Sequence, residues 1–170
     1  MRNNKLNFKI VLFGFIFTFF SSFGQSFFIG LFNSSIRSDL QISHGQFGTI
    51  YALATLISSF TLIWVGKKID DFKLIYFSFF VILLLFFSSI FFSLVNSIYL
   101  LFLGIFLLRF SGQGLMSHTA TTSISRFFDR NRGKALSITW LGLSTAEFIM
   151  PITVVFFLSI YSWRSIWLSI

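Results

Sequence analysis

Residues 98–116 read IYLLFLGIFLLRFSGQGLM, an apolar run followed by Arg109 and then by the small or polar residues Ser111, Gly112 and Gln113. A bilayer core about 30 Å thick requires about 20 mostly apolar residues per helix. An arginine inside such a segment costs about 2.5–3.5 kcal/mol even on lenient insertion scales, so it is expected to pair or to contact water. The stretch therefore predicts a membrane-spanning helix with a functional side chain near its middle.

Similar apolar runs divide the rest of the chain into spans. Candidates lie at residues 10–32, 47–65, 74–95, 98–123 and 135–160, and a sixth, partial run covers residues 163–170. Since no linker or soluble domain interrupts them, the sequence predicts one all-α domain of a polytopic membrane protein. The last run ends in mid-helix without a polar tail, so we expect an incomplete six-helix bundle, a fragment truncated within its sixth helix.

The composition supports a membrane setting and argues against other classes. Of the 170 residues, 55% are hydrophobic and 11% are charged, whereas soluble domains have about 25% charged residues. The net charge of +8 comes from short strips between apolar runs, which argues against nucleic-acid binding. The chain has no cysteine, no clustered metal ligands and no nucleophile paired with a base. We therefore expect no enzyme, no cofactor and no metal site.

The distribution of lysine and arginine among the loops predicts the orientation. The basic residues on one side are Arg2, Lys5, Lys9, Lys67, Lys68, Lys73, Arg126, Arg130, Arg132 and Lys134. The opposite side carries Arg37 and Arg164. We therefore expect a cytoplasmic N-terminus, with the lipid bilayer of a bacterial inner membrane as the surroundings.

Small and polar residues recur at three- and four-residue spacing on one face of the first two spans. They are Gly14, Thr18, Ser21, Ser22 and Gln25 in the first span, and Tyr51, Thr55, Ser58 and Ser59 in the second. Small hydroxyl residues either allow helices to pack closely or line a hollow. Gln25 favours the hollow, because an amide at that depth needs partners or water. The third span has no strong polar side chain and is expected to face lipid.

Two charged residues, Arg109 and Glu147, are expected at similar depths inside neighbouring antiparallel spans. At 1.5 Å per residue, Arg109 lies about 16 Å from the outer end of its helix and Glu147 about 18 Å from the inner end of the next. One interpretation is a buried ion pair that locks the two helices together. The other is a cavity where Arg109 attracts an anionic group, while Glu147 balances it or titrates as a coupling-proton site. Gln113 shares the face of Arg109, and Trp140 that of Glu147.

A short similarity links the first and fourth spans, since residues 23–26 read FGQS and residues 111–114 read SGQG. The two helices enter the membrane from opposite sides, as the halves of an inverted repeat do. A chance match of two residues is the alternative.

Several stretches together resemble the N-terminal half of the major facilitator superfamily. They are residues 40–48 (LQISHGQFG), residues 66–70 (GKKID), residues 109–114 (RFSGQG), residues 132–135 (RGKA) and residues 163–164 (WR). The loop after the second span departs from the family pattern, because Asp71 follows Asp70 and Lys73 stands where a glycine is usual. The fifth span lacks the Gly-Pro pair associated with drug antiporters.

The resemblance implies a twelve-helix carrier of two bundles, a symporter or antiporter that works by alternating access. It implies that spans one, two, four and five line the cavity, and that Gly66, Asp70 and Arg132 belong to a gating loop motif. The expected partners are a small polar solute (an organic anion if Arg109 binds it), a coupling proton and a missing C-terminal half. A non-transporting sensor or assembly protein on the same half-bundle is the alternative.

Overall fold

The computed structural model describes residues 7–170, and in that part of the chain five helices are long and apolar enough to cross a membrane. They are α1 (Phe8–Leu31), α2 (His44–Asp70), α3 (Leu74–Ser93), α4 (Ile98–Phe127) and α5 (Arg132–Leu158). A shorter helix, α6 (Trp163–Ser169), follows α5, and a connecting helix (Asn33–Leu40) joins α1 to α2. Arg2 and Lys5, which belong to the predicted basic strip, lie outside the described residues.

Serine side chains fix the start of several helices. Ser43 and Gln46 form a reciprocal capping box at the start of α2, in which each side chain bonds the backbone of the other. Ser97 caps α4 and Ser162 caps α6 by accepting from backbone N–H groups of the first turn. These caps satisfy backbone donors that a helix start would otherwise leave without partners.

The centre of the bundle is the crossing of α1 and α4, and neither helix is regular there. A 3₁₀ turn covers Ser21–Gly24 in α1, and a π-helical segment covers Arg109–Met116 in α4. A Cβ atom at Gly112 would lie 2.7 Å from the backbone nitrogen of Gly24, and one at Gly24 would overlap the carbonyl oxygen of Leu108. The two backbones are therefore in direct contact, and the two similar Gly-Gln dipeptides meet at this point.

Small residues also allow α1 to pack closely on α5. A Cβ atom at Gly142 would overlap the carbonyl oxygen of Phe15, and the Thr18 hydroxyl donates to the Thr139 carbonyl oxygen at 2.5 Å. The hydroxyl of Ser22 bonds the sulfur of Met150 at 3.1 Å. The buried hydroxyl residues of α1 thus hold helices together rather than line a hollow.

An aromatic cluster joins α6 to α1 and α3. Trp167 is fully buried, and its ring centroid lies 4.8 Å from that of Phe92, 5.2 Å from that of Phe32 and 5.3 Å from that of Phe28. Large apolar side chains such as Phe79, Phe87 and Ile152 point outward, as expected for surfaces in contact with lipid.

Candidate solute site at the centre of the bundle

Arg109 is the first residue of the π-helical segment, and its side chain is only 6% exposed. Its Nη1 donates to the carbonyl oxygen of Gly24 at 3.1 Å and to the hydroxyl of Ser26 at 3.2 Å. Tyr51 of α2 donates to the same Ser26 hydroxyl at 2.9 Å, and its ring centroid lies 5.2 Å from the guanidinium carbon. Three helices therefore converge on one cationic group.

The positive charge of Arg109 has no carboxylate partner. Among residues 7–170, no Asp or Glu oxygen lies within 4.0 Å of the guanidinium nitrogens. Its Nε is buried and has no hydrogen-bond acceptor. A buried charge held only by neutral dipoles and an aromatic face is incompletely compensated, so the site favours an anionic group.

A small cavity borders this charge. It has a volume of about 130 Å³, and its lining residues are Ser58, Ser59, Leu62, Arg109, Gln113 and Gly114. The carbonyl oxygen of the Gln113 side chain is buried and has no partner. Arg109 and Gln113, which the sequence placed on one face, therefore border the same space.

The predicted residues Gln25 and Tyr51 do not line this cavity, whereas Ser58 and Ser59 of the polar face of α2 do. Gln25 stands at the break after the 3₁₀ turn, with an extended backbone, and its neighbours Gly24 and Ser26 contact Arg109. Sequence reasoning did not single out Gly24 and Ser26 as partners of Arg109. The similarity of Gly24-Gln25 to Gly112-Gln113 was the sequence signal that could have identified these two partners.

Glu147 and Trp140 lie apart from this cavity. Both are exposed on α5, and the structure forms no ion pair between Glu147 and Arg109 among the described residues. The reason is the direction of the side chain: α5 packs on α1 through Gly142, Ala146 one turn further on is buried, and Glu147 is rotated about 100° from Ala146 around the helix. The cavity therefore contains the charge of Arg109, and Glu147 does not balance that charge.

The residues predicted to belong to a gating loop motif lie at the end of the bundle where α2 and α4 finish. The carbonyl oxygen of Gly66 accepts from Nε2 of His118 at 3.0 Å, which requires the hydrogen to be on that nitrogen. Asp70 forms an ion pair with Arg126, which also donates to the carbonyl oxygen of Ile69 at 3.2 Å. Arg132 is exposed in the first turn of α5. Arg126, noted in the sequence only as a loop charge, is thus the partner of Asp70.

These features define an integral membrane protein of packed helices with a buried cationic centre. A model of the Major Facilitator Superfamily matches residues 14–170, and the chain belongs to this family of membrane transporters. The match and the five spanning helices confirm the predicted family and the predicted fold class, the N-terminal bundle of a major facilitator fold. No curated protein and no solved structure matches the chain.

Proposed function

We propose that this chain forms the solute-binding bundle of a secondary active transporter for a small organic anion, which works by alternating access. The observation that carries the proposal is the buried guanidinium of Arg109, which borders a cavity and has no carboxylate partner in the described part of the chain. Two unit charges 4 Å apart attract by about 4 kcal/mol at an effective dielectric constant of 20. A carboxylate in the cavity would gain such an attraction, whereas a neutral solute of the same shape would not.

The remaining parts of the mechanism are proposed around this site. The bundle is expected to rock against a C-terminal bundle in a bacterial inner membrane, with its N-terminus in the cytoplasm. Glu147 is proposed as the coupling-proton site, since it lies inside a spanning helix and is exposed on the side of α5 turned away from α1. Arg109 and Glu147 then act in separate places, one on the solute and one on the proton.

The first prediction tests the anion site by ligand-induced stabilisation of the purified chain in detergent. Small mono- and dicarboxylates are expected to raise its melting temperature, and their neutral amide analogues are not, because only an anion gains from Arg109. A ligand at 100 times its Kd adds about 2.7 kcal/mol to the stability of the state it binds. Arg109→Gln is expected to remove the shift, and Arg109→Lys, which keeps the charge, to retain part of it.

The proposal fails if carboxylates raise the melting temperature of Arg109→Gln as much as that of the unchanged chain. It also fails if the amides stabilise the chain as much as the acids do. The melting temperatures of both variants without ligand serve as the control for folding.

A further inference from the structure

A second cavity lies along the same pair of helices as the Arg109 cavity. Its volume is about 520 Å³, and its lining includes Gly66, Lys67 and Asp70 from α2 together with His118 and Thr122 from α4. The two cavities have two lining residues in common, which are Ser59 and Leu62. They are therefore adjacent parts of one groove that runs from Arg109 to the end of the bundle carrying Asp70.

The side chain of Leu62 lies at the junction of the two cavities. A Cβ atom at Gly114 would lie 3.4 Å from both of its terminal carbons, and one at Gly66 would lie 3.5 Å from the nearer. Leu62 thus packs from α2 against the backbone of α4. Neither glycine has a side chain, so Leu62 contacts the helix backbone directly at both positions.

The helices on either side of Leu62 carry buried polar atoms without protein partners. Two of them belong to residues that line the cavity of about 130 Å³: Nε of Arg109 and the side-chain carbonyl oxygen of Gln113, which have no hydrogen-bond partner among the described residues. Buried polar groups in native proteins are normally satisfied by protein or by ordered water. A cavity of about 130 Å³ that borders Arg109 and Gln113 is large enough to hold water. These observations indicate a hydrated cavity at Arg109, with the apolar side chain of Leu62 between it and the second cavity.

We propose that water and the transported anion reach Arg109 through this groove between α2 and α4, and that Leu62 is the residue that closes it. An apolar constriction in a polar path blocks passage by excluding water. The bond between His118 and Gly66 fixes the wall beyond the constriction. The inference rests on the proposed anion site for its physiological meaning, but the route itself can be measured without any solute.

The absence of cysteine from the chain makes this route accessible to thiol labelling, because a single introduced cysteine has no background. Ser58→Cys reports on the Arg109 cavity, since Ser58 lines only that cavity of the pair, and Thr122→Cys reports on the second cavity. Each variant is reconstituted in vesicles and treated from either side with a charged, membrane-impermeant methanethiosulfonate reagent. Labelling rates are compared with Leu62 intact and with Leu62→Ala.

The cysteine at position 58 is expected to react about tenfold faster with Leu62→Ala, which corresponds to about 1.4 kcal/mol of barrier. This increase is expected only when the reagent is added on the side of the membrane from which the cysteine at position 122 reacts. The labelling rate at position 122 itself is expected to stay unchanged. Leu62→Val should give a smaller increase if Leu62→Ala impairs folding. Leu56→Ala, on the exposed face of the same helix, is the matched control and should change neither rate.

Two results would overturn the route: equal rates at position 58 with and without the Leu62 side chain, or a Leu62→Ala increase that appears only from the side opposite to the one on which position 122 reacts. Failure of the anion site has a different signature, because it removes the carboxylate shift and leaves the labelling pattern intact.

Discussion

At the scale of single residues, the surroundings of Arg109 and Glu147 determine what each can do. Arg109 is buried between α1, α2 and α4, where it donates to Gly24 and Ser26. Glu147 is exposed on α5 and has no ion-pair partner in the described part of the chain. A carboxylate within a spanning helix is expected to face water or to meet a cation. The two residues are therefore expected to respond independently to substitution.

The second prediction follows from this independence. Glu147→Gln is expected to leave carboxylate-induced stabilisation of the chain unchanged, because no contact connects its side chain to the guanidinium. The measurement is the same melting-temperature shift as for Arg109→Gln, made side by side. If Glu147→Gln loses as much of the shift as Arg109→Gln, the two charges form one site and the separate roles proposed above are wrong.

At the scale of the elements, the irregular turns of α1 and α4 build the site. A regular helix uses its carbonyl groups internally, whereas the break after the 3₁₀ turn leaves the Gly24 carbonyl oxygen free to accept from Arg109. The absence of a side chain at Gly24 and at Gly112 brings α4 close enough for that bond. Packing and site geometry thus depend on the same two glycines.

The third prediction compares two glycines of α1. Gly24→Ala is expected to destabilise the chain by about 1–3 kcal/mol or more, since the new methyl group would overlap the backbone of α4. Gly30→Ala is the matched control: nothing lies within 4 Å of its Cβ position, so the change should stabilise the helix by about 0.5–1 kcal/mol. Denaturation in detergent, followed by helical circular dichroism, measures both. Equal effects of the two substitutions on stability would show that α1 and α4 pack less closely at Gly24 than described.

At the scale of the whole molecule, an Arg–Asp ion pair lies at each end of the bundle. At one end Arg126 pairs with Asp70, and at the other Arg164 of α6 pairs with Asp39 of the connecting helix. Arg164 also donates to the carbonyl oxygen of Val95 at 2.6 Å, and its guanidinium carbon lies 4.4 Å from the ring centroid of Trp163. Arg164 therefore ties α6 to the connecting helix and to the chain just after α3.

The fourth prediction concerns this connection. Arg164→Gln is expected to cost about 1–2 kcal/mol, because it removes a charged hydrogen bond to a backbone carbonyl as well as a partly exposed ion pair. Asp39→Asn, which leaves the bond to Val95 intact, should cost less than about 1 kcal/mol. Arg37→Gln is the control at the same end, since the Nε of Arg37 bonds Asn33 within its own helix. A cost for Asp39→Asn equal to that for Arg164→Gln would mean that the ion pair carries the whole effect.

Much of the bundle follows from the sequence because a membrane imposes a simple rule. Each apolar run long enough to cross the bilayer must be a helix, since lipid offers its backbone no hydrogen-bond partners. The runs read from the sequence overlap the observed helices, and the largest difference is the five residues 66–70 at the polar end of α2. The sequence spacing also predicted that Arg109 and Gln113 share one face of α4, and both residues border one cavity.

By itself, the sequence determined the number of spanning helices, the family and the presence of a charge within the spanning helix α4. Only the tertiary structure decided which groups surround that charge: Gly24, Ser26 and Tyr51, with Glu147 facing elsewhere. The physical reason is that hydropathy and rise per residue fix how deep a side chain lies, whereas its direction depends on how helices cross. At this crossing a 3₁₀ turn, a π-helical segment and two facing glycines change the geometry that regular spacing would give.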